Sequence, residues 1–495
     1  MSKILIVIPI VLYLALNLFL GIWVGRRSAR ENAKNGFINN YFIGGRSMGG
    51  FVLAMTLTAT YTSASSFIGG PGIAYSVGLS WVLIAVTQVP TVFLALGILG
   101  KKLAIISRRI NAVTVTDYLS KRYKSSVVVI AASIALVIFF IVTMVAQFIG
   151  GAVLFQTITG YSYIIGLILF GTIVIIYTTI GGFKAVVTTD TLQGVIMIVG
   201  TVLIICCIIK AGGGMEAISA TLNQVNPAWA TPLSGGHFSK GYIMSFWVLV
   251  GVGTLGLPQN TVRAMGFKDT KSMHDAMIYG TVVFFILMFG MVLAGVLSRA
   301  ILPDAIANSD IVIPTLVLKI MHPVAAGLFL AAPLAAVMST VSSMLILASA
   351  AIIKDIYMNY IMKGDAKESD PVFEKKISFM SICATAVIGV IVFALSIQPP
   401  DLLTFINLFA FGGLEAAFFC PVVFGLYWKK ANAMGSIMSM ISGVGSFIVF
   451  YITKFAPWGL QPIVPALVVS MIAFVIGGYI GKAPEQETLD LFYDK

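Results

Sequence analysis

Four hydroxyl side chains crowd one short apolar stretch, Ala331-Ala-Pro-Leu-Ala-Ala-Val-Met-Ser-Thr-Val-Ser-Ser-Met344. Ser339, Ser342 and Ser343 stand at i, i+3 and i+4 with Thr340 adjacent, so on a helix their oxygens gather on one face. That face suits Na⁺, a hard cation whose single charge neutral oxygens can hold. The alternative is that each hydroxyl bonds back to a carbonyl of its own helix. Two acids fall within or at the start of apolar runs, Asp190 in Thr188-Thr-Asp-Thr-Leu-Gln193 and Glu415 in Gly412-Gly-Leu-Glu-Ala416. A carboxylate at bilayer depth costs several kcal/mol unless paired, hydrated or neutralised, which makes both candidates for an ion or solute site. For Asp190, capping its helix at the interface is the other reading. The embedded amides Gln88 and Gln147 are candidate solute contacts or interhelical hydrogen-bond partners.

These residues sit in a chain built for a bilayer. Of its 495 residues, 59% are hydrophobic and 10% charged, with a mean hydropathy of +1.00; soluble proteins average about 45–50% apolar and about 25% charged. The net charge of +12 reads as basic loops on the cytoplasmic side, not as a nucleic-acid surface. Cys206, Cys207, Cys383 and Cys420 lie in apolar runs and imply packing, not disulfides. His237, His274 and His322 are too scattered for a shared metal site.

Apolar runs near 4–25, 48–72, 77–98, 126–157, 162–180, 190–210, 241–262, 275–298, 324–348, 377–396, 401–427, 434–453 and 463–481 predict an all-α integral membrane protein of about thirteen spans. The first run lacks a small-residue cleavage site before Arg26 and Arg27 and reads as a retained span. Residues 1–482 form one polytopic transmembrane domain and 483–495 a short tail. About 25 of the 31 basic residues, Arg263 among them, fall in loops after odd-numbered spans, which places those loops and the C-terminus in the cytoplasm and the N-terminus outside. The segment 354–376 is expected to be a polar cytoplasmic loop and 211–240 the longest external one.

Two spans look interrupted. Span two carries hydroxyls at Thr56, Thr58, Thr60, Thr62, Ser63, Ser65 and Ser66 and ends in Gly69-Gly-Pro-Gly72; span seven contains Gly251-Val-Gly-Thr-Leu-Gly-Leu-Pro258. Broken helices at corresponding places in two halves mark an inverted-repeat transporter with its site at the midplane. With span one as an extra, they are the first and sixth helices of a five-plus-five repeat, leaving two C-terminal helices. Close helix packing through small residues is the alternative.

The stretches Tyr177-Thr-Thr-Ile-Gly-Gly-Phe-Lys-Ala-Val-Val-Thr-Thr-Asp-Thr-Leu-Gln193, Ala335-Ala-Val-Met-Ser-Thr340 and Gly425-Leu-Tyr-Trp-Lys-Lys430 resemble the sodium:solute symporter family. The resemblance implies a leucine-transporter-like fold, a bacterial inner-membrane location, and Na⁺-coupled uptake of a small organic solute. It implies a Na⁺ site made by the carbonyls of Ala59, Thr62 and Ala336 and the hydroxyls of Ser339 and Thr340. Some members are similar in having a second Na⁺ site, which here would use Asp190, Ser342 and Ser343. Gly44-Gly-Arg-Ser-Met-Gly-Gly50, Ala54-Met-Thr-Leu-Thr-Ala-Thr60, Ser63-Ala-Ser-Ser-Phe-Ile-Gly-Gly-Pro-Gly72, Gln147-Phe-Ile-Gly-Gly-Ala152 and Phe411-Gly-Gly-Leu-Glu-Ala416 are similar to members that carry pantothenate. That solute is a carboxylate with two hydroxyls and an amide. Thr62, Ser66, Gln88, Thr143, Gln147, Thr254 and Glu415 could offer it donors and acceptors. Proline or another monocarboxylate is the alternative solute. A transporter-like sensor is a different class of reading, for which 481–495 leaves too little chain to form a signalling domain. No motif combines a nucleophile, a base and an oxyanion site, so an enzyme is not expected, and no obligate protein partner is evident.

Overall fold

Helix formation follows from the solvent the composition implies: in hydrocarbon every backbone polar group must find its partner within the chain, and a helix does this locally. The computed structural model describes residues 3–493 apart from 36, 303–305, 307, 363–370 and 399–402, and in them the chain is helical, with one isolated β-bridge between Met48 and Phe267. Of the polar loop expected over 354–376, residues 363–370 lie outside the described residues, and its flanks are not loop but helix, Ala351–Ile361 on one side and Pro371–Leu395 on the other.

The spans are α1 (Ile4–Ser28), the bent pair α2 (Gly50–Tyr61) and α3 (Ser65–Val77), α4 (Leu79–Arg109), α5 (Ser126–Thr159) and α6 (Tyr163–Ala211). A second bent pair, α7 (Lys240–Gly256) and α8 (Pro258–Met265), is followed by α9 (Thr270–Ser298), α10 (Pro323–Ile361), α11 (Phe373–Leu395), α12 (Thr404–Tyr427), α13 (Ala433–Ile452) and α14 (Ile463–Ile480). Ten of these are long and apolar enough to cross a membrane singly, and joining each bent pair gives twelve. The expectation of about thirteen differs from that count within α6, whose 49 residues contain a non-helical turn at Gly182 (φ 62°, ψ −168°). That backbone region is essentially restricted to glycine, and a Cβ there would stand 2.6 Å from the Tyr41 ring.

Both interruptions expected in spans two and seven are present, with bends of 72° and 48°. At the first, Thr62 turns to extended backbone (φ −69°, ψ 124°). At the second, Gly251 leaves helical geometry (φ −109°, ψ −99°), Leu257 is extended, and Pro258 restarts the helix at its first turn, where its missing N–H costs nothing. The two pairs are tied at one end, where the Met48 N–H donates to Gly266 O at 3.4 Å and the Lys268 N–H to Met48 O at 2.9 Å.

Arg263 requires a correction. It is not in a cytoplasmic loop but on α8 with its side chain fully buried. The restart at Pro258 extends helix past the end of the apolar run, and so carries this cation inward. The 211–240 segment is also more ordered than a bare loop, with a helix at Met215–Val225. The tail forms the helix Gln486–Tyr493, where the buried Phe492 packs into the core and Tyr493 Oη donates to Gly425 O at 3.0 Å.

Candidate ion and solute site

α10 is almost wholly buried and runs past the break between α2 and α3. Where α2 stops, its last carbonyls lose their helical partners. Ser339 Oγ lies 2.7 Å from Ala59 O and 3.1 Å from Ala336 O. Thr340 Oγ1 lies 3.2 Å from Thr60 O, 3.0 Å from Thr62 O and 2.9 Å from Ala336 O. Each hydroxyl has one proton to donate, so two protons face four carbonyl oxygens. The surplus of lone pairs in a buried place is electron-rich in the way a small cation satisfies. Ala59, Thr62, Ala336, Ser339 and Thr340 are thus brought together, and Thr60 O joins them, a backbone oxygen that side-chain spacing could not reveal.

About one helical turn away the arrangement is different. Asp190 Oδ2 accepts from Thr56 Oγ1 at 2.6 Å, from Thr60 Oγ1 at 3.4 Å and from Arg263 Nη2 at 3.2 Å. The same Nη2 donates to Ser343 Oγ at 2.6 Å, and Nε to Thr56 Oγ1 at 2.9 Å. Asp190 is fully buried inside α6 and is no interface cap. Asp190 and Ser343 are therefore gathered around a guanidinium, while Ser342 Oγ donates to Ser339 O of its own helix at 3.2 Å.

Beside the first break lies a cavity of about 570 Å³ between atoms, its mouth included. Ser66 and Gln88 line it, with Tyr61, Ser63, Ser65, Thr404 and Asn407, against a wall that includes Trp81, Phe246 and Phe411. Its lining has the usual character of a small-molecule site, mostly apolar with a few placed polar groups. The lining Tyr61 ring lies 5.1 Å from Phe284 and 5.6 Å from Phe411 between centroids, and its hydroxyl donates to Val250 O on α7 at 3.3 Å.

The other expected solute contacts do not line this cavity. Thr143 Oγ1 donates to Phe139 O of its own helix at 2.9 Å. Thr254 Oγ1 donates to Gly251 O, inside the unwound part of α7. Gln147 supports the break: its Oε1 accepts from the Ala64 N–H at 2.8 Å, and its Nε2 faces Asn407 Oδ1 at 3.4 Å. Glu415 is fully buried, and among the described residues neither of its carboxylate oxygens has a hydrogen-bond partner. It presses on the second break, where a Cβ added to Gly253 would stand 2.5 Å from Glu415 Oε2. Thr404 and Asn407 were not singled out in the sequence, Ser65 stood there only among the hydroxyls of span two, and Arg263 only as a cytoplasmic-loop cation. For the first three the only signal was polarity in apolar runs.

The sodium:solute symporter family matches residues 41–443. Curated relatives include sodium/pantothenate symporters of Haemophilus influenzae, 45% identical, and Escherichia coli, 46% identical, each match covering 98% of both chains. An osmoregulated proline transporter of Bacillus subtilis is 30% identical over 92% of both chains. Among solved structures, a Na⁺-coupled sialic acid symporter in a substrate-bound outward-open state superposes with a TM-score of 0.78 at 21% identity, covering 97% of this chain and 99% of that one. With the family matched over most of its length, with relatives this similar from end to end, and with both broken helices in place, this chain belongs to the sodium:solute symporter family.

Proposed function

We propose that this protein is a Na⁺-coupled symporter of the bacterial inner membrane that imports pantothenate. The observation that carries the ion half is the set of four carbonyls facing the two hydroxyls of Ser339 and Thr340. Na⁺ placed among the carbonyls of Ala59, Thr62 and Ala336 takes the oxygens of Ser339 and Thr340 as ligands, and their protons turn elsewhere. The solute half rests on the roughly half-identical sodium/pantothenate symporters and on a cavity whose polar side chains are hydroxyls and amides. The proline transporter is matched at lower identity, so proline is the weaker reading.

Counting α6 as two spans about Gly182 gives thirteen, with α2 to α14 holding a five-plus-five inverted repeat and two further helices. About 74 Å of helix, at 1.5 Å per residue over 49 residues, is too long for one crossing of an apolar layer of about 30 Å. The odd count puts the C-terminus in the cytoplasm with the Lys- and Arg-rich loops and the N-terminus outside. The cavity, framed by the first turns of α4, α7 and α12, then opens outward. The ion shares the break with the cavity: Thr62 offers its carbonyl to one and Ser63 lines the other. An ion that orders the break therefore also shapes the solute site, which is the differential contact that coupling requires.

A second Na⁺ at Asp190 and Ser343 competes with Arg263 for one carboxylate. Binding there displaces the guanidinium from Asp190 and frees α8 from α6. Glu415, at the second break, takes a hydroxyl or amide of the solute once the Tyr61 and Phe411 rings part. Uptake of labelled pantothenate by proteoliposomes tests the whole reading. Accumulation should need an inward Na⁺ gradient, and equal uptake with K⁺ replacing Na⁺ would refute it.

A further inference from the structure

The cavity has a polar edge that the ion site leaves unused. Among the described residues that line it, none is Asp, Glu, Lys, Arg or His, and along this part of the wall recognition is by neutral hydrogen bonds. Ser65, the first residue of α3, and Thr404, the first of α12, carry buried hydroxyl oxygens with no hydrogen-bond partner among the described residues. Ser and Thr in spans usually bond back to their own helix, as Thr143 and Ser342 do here; these two do not. Asn407 follows Thr404 at i+3, on the same helical face, and lines the same cavity. The seat of the Thr404 hydroxyl is specific, because a Cβ on Gly69 of α3 would lie 2.0 Å from Thr404 Oγ1. Only glycine at that position admits it.

Buried hydroxyls without partners are unfavourable and uncommon. Two of them, on different helices but lining one cavity, mark where a ligand completes the hydrogen bonding. We propose that Ser65, Thr404 and Asn407 form the solute-selecting edge of the cavity, taking the uncharged hydroxyl- and amide-bearing part of the solute. This rests on the pantothenate reading and names the part of the solute that is read there. A site built to hydrogen-bond a hydroxyl strongly rejects an analogue without one, because its own groups are then left unpaired. Proline has neither hydroxyl nor amide to offer this edge and leaves it unsatisfied.

The test uses the reconstituted full chain, labelled pantothenate, and as competitor the analogue in which both pantothenate hydroxyls are replaced by hydrogen. Thr404→Val keeps the shape and removes the hydroxyl; Thr404→Ser keeps the hydroxyl. Thr404→Val and Ser65→Ala should each raise the pantothenate concentration for half-maximal uptake about tenfold, and together should let the dideoxy analogue compete as well as pantothenate. Thr404→Ser should stay within about twofold of wild type, and the Na⁺ dependence at saturating pantothenate should be unchanged. Calorimetric binding per folded molecule separates a lost contact from a lost fold. Unchanged half-saturation and unchanged discrimination in Thr404→Val and Ser65→Ala, with wild type carrying pantothenate, would overturn this inference alone. Wild type that carries proline and not pantothenate would overturn it together with the pantothenate reading.

Discussion

Arg263 Nη2 and Asp190 Oδ2 stand 3.2 Å apart with both side chains fully removed from solvent. The pair joins α8, the second half of one broken helix, to α6, and through Thr56 and Ser343 it reaches α2 and α10. Removing one partner strands a buried charge, at a cost of about 3–5 kcal/mol. Arg263→Ala should therefore lower the midpoint of thermal unfolding in detergent sharply, and Asp190→Asn with Arg263→Gln should recover much of the loss. Additive losses in the double variant would show that the two are not coupled.

If a second ion competes with Arg263, Asp190→Asn changes the Na⁺ dependence of uptake or the ratio of Na⁺ to solute, and leaves the order of competing solutes alone. Flux ratios measured with ²²Na⁺ and labelled pantothenate check this. A changed order of competitors would move Asp190 into the solute site.

Buried Glu415 has no hydrogen-bond partner among the described residues, and Gly253 leaves no room beside it. Gly253→Ala would drive a Cβ to 2.5 Å from both Glu415 Oε2 and Val248 O. The backbone carbonyl cannot swing aside as a side-chain tip can, so transport should fall severely. Glu415→Ala should weaken solute binding by about 1–3 kcal/mol, the usual cost of a lost buried partner, while Glu415→Gln keeps part of it. Calorimetry on the purified Glu415→Ala protein with unchanged affinity would take Glu415 out of the solute site.

The tail helix is fixed in part by charge. Lys124 Nζ lies 2.6 Å from Glu485 and 2.9 Å from Glu487. The Glu485 and Glu487 hydrogen bonds hold the ammonium above its ordinary 10.5, and Lys124 holds Glu487 below its ordinary 4.5. The Lys124 contribution is fully present below 10.5 and is lost as pH rises through the raised value. The Glu487 contribution is present above 4.5 and is lost as pH falls through the depressed one. Protease cleavage of the tail should thus be slowest between those limits and faster below them, and Lys124→Met should flatten the acid limb. An identical acid limb in Lys124→Met would assign the docking to Phe492 and Tyr493 alone.

How much of this was legible in the sequence depended on whether the signal was periodic. The hydroxyl face of α10 and the Gly- and hydroxyl-rich breaks were visible because helical spacing and composition report them directly. The role of Arg263 was hidden, since a cation at the end of an apolar run looks like a membrane flank, and only the restart at Pro258 carries it inward. Gln147 and Thr143 looked alike as embedded polar groups. Which of them back-bonds to its own helix and which braces Ala64 depends on tertiary contacts that no spacing encodes. Thr404 and Asn407 gave little signal for the same reason, and Thr60 joins the proposed ion site through its backbone.

The claim at the centre is that Na⁺ binds where α10 crosses the break after α2, and Ser339→Ala with Thr340→Ala tests it most directly. Uptake by proteoliposomes at fixed labelled pantothenate should need about tenfold or more Na⁺ for half-maximal rate, on the order of 1.4 kcal/mol of lost ion binding. A wild-type Na⁺ dependence in the double variant would contradict the account.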